Sequence, residues 1–357
     1  MKKSLISLAI LAAAGAAHAQ SNVTIYGAVD IGYVKSTDTS LSMREGYNNR
    51  LGFMGSEDLG GGLKATFQLE KRFNLTTGQS SYRGEFDGAA NVGLTGSFGQ
   101  VRFGRVNELS TETYRVIDPF QQYGVGSMMT TVLRGDDGSG RISNTTRYDS
   151  PVFNGLKFGA SYTLKPNTNN WLFSAFEAAG DTAPSASDVA PNVGYALSGT
   201  YTNGPLYLVA NYNVAANTNK SYNWNLGASY AFGPLKLSLG YEKTTDKLLS
   251  HGDLKGDKWL VGASYAIGNG VINASYNHRS FSNSLFFSSQ NDADEKFALG
   301  YTYNLSKRTA IYADASTTKY GSGIGAIADV IRSYSGDLIT PTELRTNAFS
   351  VGITHKF

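Results

Sequence analysis

The last nine residues, Phe349 to Phe357, alternate between apolar and small or polar side chains. Phe349, Val351, Ile353 and Phe357 fall on one face with His355, and Ser350, Gly352, Thr354 and Lys356 fall on the other. That is the period of a β-strand with one greasy and one wet side. The alternation recurs along nearly the whole chain. Val23, Ile25, Val29, Ile31 and Tyr33 oppose Thr24, Ala28, Asp30 and Gly32, while Leu63, Ala65, Phe67 and Leu69 oppose Lys64, Thr66, Gln68 and Glu70. Further runs begin at Leu156, Tyr222, Leu235, Trp259 and Phe297. Each spans about ten residues, the length of a tilted strand that crosses a bilayer.

Tight turns at Asp58-Leu59-Gly60-Gly61, Asn203-Gly204-Pro205, Phe232-Gly233-Pro234 and Gly268-Asn269-Gly270 separate these runs. They alternate with longer polar stretches near 35–46, 75–85, 107–139, 166–192, 246–255, 282–292 and 320–344, and a shorter one near 215–220. The tally is about sixteen strands, and an even number lets the first and last strands pair. An open sheet would leave unpaired backbone groups in lipid, so the pattern predicts an all-β fold: a 16-stranded antiparallel transmembrane β-barrel. Aromatics near strand ends, among them Tyr26, Tyr148, Tyr162, Tyr230, Trp259, Tyr265, Tyr301 and Phe357, are expected to form girdles at the two headgroup levels.

Composition agrees. The 357 residues include 41 Gly, 22 Tyr and 18 Phe but 8 Pro and no Cys, which excludes disulfides and thiolate metal sites. Lys2 and Lys3, an apolar run from Leu5 to Ala17 and the small-residue site Ala17-His18-Ala19 read as a signal peptide over 1–19, with the barrel over 20–357. Its removal leaves 29 basic against 28 acidic residues, a net charge of +1 that argues against a nucleic-acid partner. No later stretch approaches the roughly 18 apolar residues of a membrane helix. Enzymatic chemistry finds little footing. His251, His278 and His355 form no His-x-x-x-His pair, and there is no Gly-x-Ser-x-Gly elbow. Asp136-Asp137-Gly138-Ser139-Gly140 lacks the spaced ligands of a calcium loop and reads as a turn, so neither a metal nor another cofactor is expected.

Several ordered segments carry a resemblance. VTIYGAVDIG (23–32), NRLGFMGSEDLGGGLKATFQLE (49–70), VGLTGSFGQVRFGR (92–105), GRISNTTRYDSPVFNG (140–155), NLSKRT (304–309) and the closing VGITHKF make the chain similar to the general diffusion porins of Gram-negative outer membranes, especially their β-proteobacterial branch. The resemblance implies homotrimers of sixteen-stranded barrels, each with its own water-filled pore for ions and small hydrophilic solutes. It also implies an inward-folded third loop that narrows the lumen, and a terminal aromatic, here Phe357, read by the barrel-assembly machinery. Outer-membrane lipid and lipopolysaccharide would surround such a barrel.

The stretch between Arg105 and Arg141 is long enough on its own to suggest function. It contains Glu108, Glu112, Asp118, Asp136 and Asp137; Glu112 and Asp118 are the candidates to face a basic wall, and which one does so is left open. Parity turns Arg50, Arg72, Arg141 and Arg147 into the lumen. The resemblance assigns Arg50, Arg105 and Arg141 to the constriction. Simple parity instead favours Arg102 over Arg105, unless a bulge near Gly104 reverses the alternation. Phe86 to Val92 offers no further wall arginine of the kind some anion-selective relatives carry. Most aromatics fall on the outward face, which favours passive diffusion over a substrate-specific channel with an aromatic lumenal track; a barrel that is not a channel, such as an adhesin or barrel enzyme, is the third reading.

Overall fold

A computed structural model describes residues 22–37, 39–81, 85–129, 140–164, 194–214, 222–248, 252–282, 292–320 and 345–357. The expected signal peptide, Asp136, Asp137, His251 and most of the stretches 166–192 and 320–344 lie outside the described residues. The strands are β1 (Asn22–Ser36), β2 (Thr39–Arg44), β3 (Arg50–Gly60), β4 (Leu63–Arg72), β5 (Ala89–Gly96), β6 (Gly99–Asn107), β7 (Arg141–Asp149), β8 (Leu156–Thr163) and β9 (Gly194–Asn203). They continue as β10 (Leu206–Val214), β11 (Tyr222–Phe232), β12 (Leu235–Leu248), β13 (Gly252–Ile267), β14 (Gly270–Ser282), β15 (Asp292–Asn304), β16 (Thr309–Lys319) and β17 (Arg345–Lys356).

These seventeen segments make sixteen staves, because β2 and β3 share one. β1 pairs with β3 from Asn22 to Ala28 and with β2 from Gly32 to Ser36. Its other edge pairs with β17, from Ala28 opposite Lys356 to Ser36 opposite Ala348, and this closes the sheet. Phe357 finishes the seam: its N–H donates to the Gly27 carbonyl at 3.2 Å, and its carbonyl accepts the Gly27 N–H at 3.0 Å.

The barrel is greasy outside and polar inside. Ile25 and Leu239 are each 60% exposed, whereas Asp30 and Asn277 are 0% exposed. Tyr162, Tyr230, Trp259, Tyr265 and Tyr301 are exposed on the outside as expected of girdle residues. Tyr26 is not among them. Its neighbour Ile25 faces out, so its own ring turns inward, where its hydroxyl donates to Glu70 Oε2 at 3.0 Å and accepts from Gln68 Nε2 at 2.6 Å.

Two stretches expected as long loops are largely strand. The 35–46 region returns as β2, paired with β1, and β12 and β13 stay paired from Leu235–Tyr265 out to Leu248–Gly252. Ladder hydrogen bonds need no apolar side chains, so a hairpin projecting beyond the hydrocarbon keeps pairing after its greasy face ends.

Candidate pore constriction

The chain that leaves β6 turns into the barrel. It forms the short helix α1 (Leu109–Tyr114), a 3-10 turn (Arg115–Ile117) and a compact bend through Met129. This inward loop lies along the opposite wall, where five staves between β8 and β15 put a glycine inward. A methyl group at Gly159 (β8), Gly227 (β11), Gly240 (β12), Gly262 (β13) or Gly300 (β15) would come within 2.6–2.8 Å of a carbon of Leu109, Ile117, Pro119 or Phe120. The missing side chains make a track into which the loop sinks. Tyr114, Ile117 and Met128 then bury with Val209 and Leu260 as a small apolar core inside an otherwise wet lumen. Each such large apolar side chain removed from water contributes about 1.5–3 kcal/mol.

Three wall lysines fasten the same loop. Lys236 Nζ donates to the Val116 carbonyl at 2.5 Å and Lys296 Nζ to the Ser127 carbonyl at 2.7 Å. Lys258, 1% exposed, holds Glu242 at 3.3 Å and lies 5.5 Å from the Tyr114 ring centroid. Asp118 ties the bend together from within: Oδ1 accepts the Phe120 N–H at 3.1 Å, and Oδ2 accepts those of Gln122 at 2.7 Å and Met128 at 3.1 Å. Burial pushes its carboxyl above the usual carboxylate range, against the pull of those three donors and of the Lys296 ammonium.

A second inward excursion, residues 45–49 between β2 and β3, meets the first. Asp30 Oδ1 accepts the N–H groups of Gly46 at 2.6 Å and Tyr47 at 3.0 Å and the Tyr312 hydroxyl at 3.0 Å, while the Asp30 N–H donates to Asn49 Oδ1 at 2.5 Å. So held, Tyr47 packs on Tyr123 of the inward loop with ring centroids 3.9 Å apart. Cations surround the pair. Arg50 lies 5.6 Å and Lys356 5.1 Å from the Tyr47 centroid, and Arg115 lies 5.1 Å from that of Tyr123. Among the described residues, the one ion pair Arg50 makes is with Glu70, at 4.0 Å.

A closed sixteen-stave barrel, greasy outside and narrowed by an inward loop, has known counterparts. The family model for Gram-negative porins matches residues 5–323. The chain is 34% identical to outer membrane porin protein 32 of Delftia acidovorans and 32% identical to an outer membrane porin protein of Bordetella pertussis, over the full length of both chains in each case. It is 29% identical to the major outer membrane protein P.IA of Neisseria meningitidis over 87% of this chain and 82% of the relative. Among solved structures it is similar to an anion-selective porin from Comamonas acidovorans, with a TM-score of 0.75 and 26% identity over 94% of this chain and all of the other.

The chain is a Gram-negative porin. Its relatives are outer-membrane channels, so it belongs in that membrane and is a channel rather than an enzyme.

The porin's sequence-derived site residues divide into several groups. Arg50 and Arg72 sit side by side on β3 and β4 and share Glu70, with Arg72 Nη2 at 2.7 Å from its Oε1. Arg105 follows a break in register: Gly104 faces Thr145 but Val106 faces Ile142, with Gly104 at φ +125°. Its guanidinium spans the Asp87 carbonyl and Ser143 Oγ, both at 2.8 Å. Arg141 is 4% exposed and is not without a partner.

The remaining candidates are held by close partners. Arg147, 2% exposed, is locked to Asp149 at 2.8 Å, Glu112 at 2.5 Å and the Asn107 carbonyl at 2.9 Å. Arg102 joins the same carboxylate of Asp149 at 2.7 Å. This network ties the start of the inward loop to the wall. Asp118 likewise spends its carboxylate on its own loop. Sequence reasoning missed Tyr47, Tyr123 and Arg115, and noted the inward parity of Lys356 without using its charge. Asp149, two residues from Arg147 and on the same face, was the legible sign that Arg147 is paired.

Proposed function

We propose that the porin forms an open, water-filled pore for passive diffusion of ions and small hydrophilic solutes, narrowed by the inward loop and biased toward anions where that loop meets Tyr47. One observation carries the reading. Arg50, Arg115 and Lys356 converge on the Tyr47–Tyr123 pair, while most carboxylates nearby are committed: Glu70 to Tyr26, Arg72 and, at 4.0 Å, Arg50, Asp30 and Glu45 to backbone N–H groups of the 45–49 segment, Glu112 to Arg147, and Asp118 to N–H groups of its own loop, leaving Asp314 beside Gly124 as one acid against three cations. The pore therefore presents surplus positive charge at its narrow part. A unit charge about 10 Å from a passing ion contributes roughly 0.4 kcal/mol in bulk-like water and about 1.7 kcal/mol at an effective dielectric of 20. The bias is therefore a few-fold rather than absolute, and salt screens it. The likeness to a structure described as an anion-selective porin agrees in sign.

The same reading makes the functional unit a homotrimer, as one structure of Vibrio cholerae OmpT with this fold is described. It gives the exposed terminal Phe357 ring the role of assembly signal. The test is the purified full-length chain in planar bilayers across a KCl gradient. Discrete conductance steps and an anion-signed reversal potential that shrinks as salt rises are expected. Absence of steps would remove the pore, and a cation-signed potential would remove the bias.

A further inference from the structure

We propose that Asp314 sets the strength of the pore's charge preference: ionised, it offsets the cations around Tyr47 and Tyr123, and protonated in acid, it leaves them unopposed, so that the preference for anions rises as pH falls. The assignment deepens the bias proposed above and rests on it. Ile311, Ala313 and Ala315 of β16 are exposed on the outer face, so Tyr312 and Asp314 face the lumen. Asp314 is in register with Gly300 of β15 on one side and Ser350 of β17 on the other. Its carboxylate leans over Gly300, where an added methyl group would meet Oδ1. The two inward excursions close over it: a side chain at Gly124 would begin 3.4 Å from Asp314 Oδ2 and 3.7 Å from the Gly46 carbonyl oxygen. Gly124 follows Tyr123 and Gly46 precedes Tyr47, so the carboxylate stands beside the backbone that carries the ring pair.

This acid differs from the others at the constriction. It is 9% exposed, yet among the described residues it makes no hydrogen bond and no ion pair. The charges on the elements packed around it are engaged elsewhere. On β1, Asp30 accepts from Gly46, Tyr47 and Tyr312, the last of these from β16 itself. On β15, Lys296 is spent on the Ser127 carbonyl. β17 supplies Lys356, which lies over Tyr47 as Arg50 of β3 does, and the Ser350 hydroxyl, buried and without a partner among the described residues. The inward loop brings Arg115 over Tyr123, and Asp118, which holds its own bend; the 45–49 segment brings Glu45, which accepts the Asn49 N–H at 2.9 Å. Asp314 is thus shut away from water and faces the like charge of Asp30. Three donors hold the ionised form of Asp30 and none holds that of Asp314, so a proton arriving at this pair of carboxylates goes to Asp314. The described histidines add no lumenal charge in acid: His278 is in register with the outward Trp259, and His355 shares the outer face with Ile353.

The test is the reversal potential of the purified full-length porin in planar bilayers across a low-salt KCl gradient, first at neutral pH and then stepwise through the carboxylate range, about pH 6 to 4. On acidification the anion-to-cation permeability ratio of wild type should rise about two- to fourfold, the effect of one unit charge roughly 10 Å from the ion path. Asp314→Asn, close in shape, should show the raised ratio already at neutral pH and change little further in acid. Asp314→Ser should behave alike, which tells loss of the charge apart from a packing fault at the amide; folding of both is read from the β-sheet circular dichroism spectrum. Added salt should shrink the pH effect in wild type by screening. A neutral-pH ratio in both folded variants equal to that of wild type, or a pH dependence that survives in both, would overturn the assignment. A cation-signed wild type that acid and Asp314→Asn each shift toward anions would remove the bias proposed above and leave the role of Asp314 standing.

Discussion

The two halves of the lumenal wall solve opposite problems. The arc from β3 to β7 is crowded with arginines, and three of the six are closely paired with carboxylates where they stand: Arg72 with Glu70, Arg102 with Asp149, and Arg147 with Asp149 and Glu112. In the arc from β8 to β15, five inward glycines and three lysines seat the inward loop. A count of arginines thus misjudges which charges face the solute. The loop brings Arg115 across from the far side, and it meets Arg50 and Lys356 over a tyrosine pair that neither wall supplies alone.

The strongest way to break the contrast is to fill the glycine track. Gly240→Val would drive a branched side chain into the space of Tyr114 and Ile117, at a cost of about 1–3 kcal/mol from overpacking. The loop should lift and the single-channel step should grow while the barrel's β-sheet circular dichroism spectrum stays that of wild type. Asp118→Ala attacks the loop from inside. It orphans three backbone N–H groups, each worth about 1–3 kcal/mol if left unsatisfied. The mean step should change less than in Gly240→Val, but open-channel noise should rise. Tyr47→Ala removes one ring of the contact between the two excursions, about 0.5–1.5 kcal/mol. It should produce a modest gain in conductance to bulky anions, read from currents in organic-anion salts. Smallest is Lys236→Met, which gives up one lysine–carbonyl bond near the turn side of the barrel, about 1.5 kcal/mol. It should leave conductance alone and lower the thermal midpoint slightly.

Much of this architecture was readable in the chain because the barrel's outer face obeys a period of two. Leu235, Leu237 and Leu239 or Trp259 and Val261 report their own orientation, and the even strand count closes the sheet. Tyr26 was misplaced only by position near a strand end; the parity of Ile25 and Tyr26 already turned its ring inward. The site was less legible, because its decisive contacts join residues far apart in sequence. Asp30 reaches Gly46 and Tyr47, and Tyr47 reaches Tyr123, through folds that no local alternation encodes. The resemblance pointed to Arg50, Arg105 and Arg141, and parity added Arg72, Arg102 and Arg147. Neither could say which charges had been spent on Asp149 or Glu70.

The central claim is that the cations around Tyr47 and Tyr123, not the braced arginine network, set the pore's preference. The direct test is the reversal potential at low salt of Arg50→Gln/Lys356→Gln against wild type, with folding verified by an unchanged β-sheet circular dichroism spectrum. The account predicts that the anion bias falls toward neutrality in the double variant. A reversal potential equal to that of wild type would contradict it.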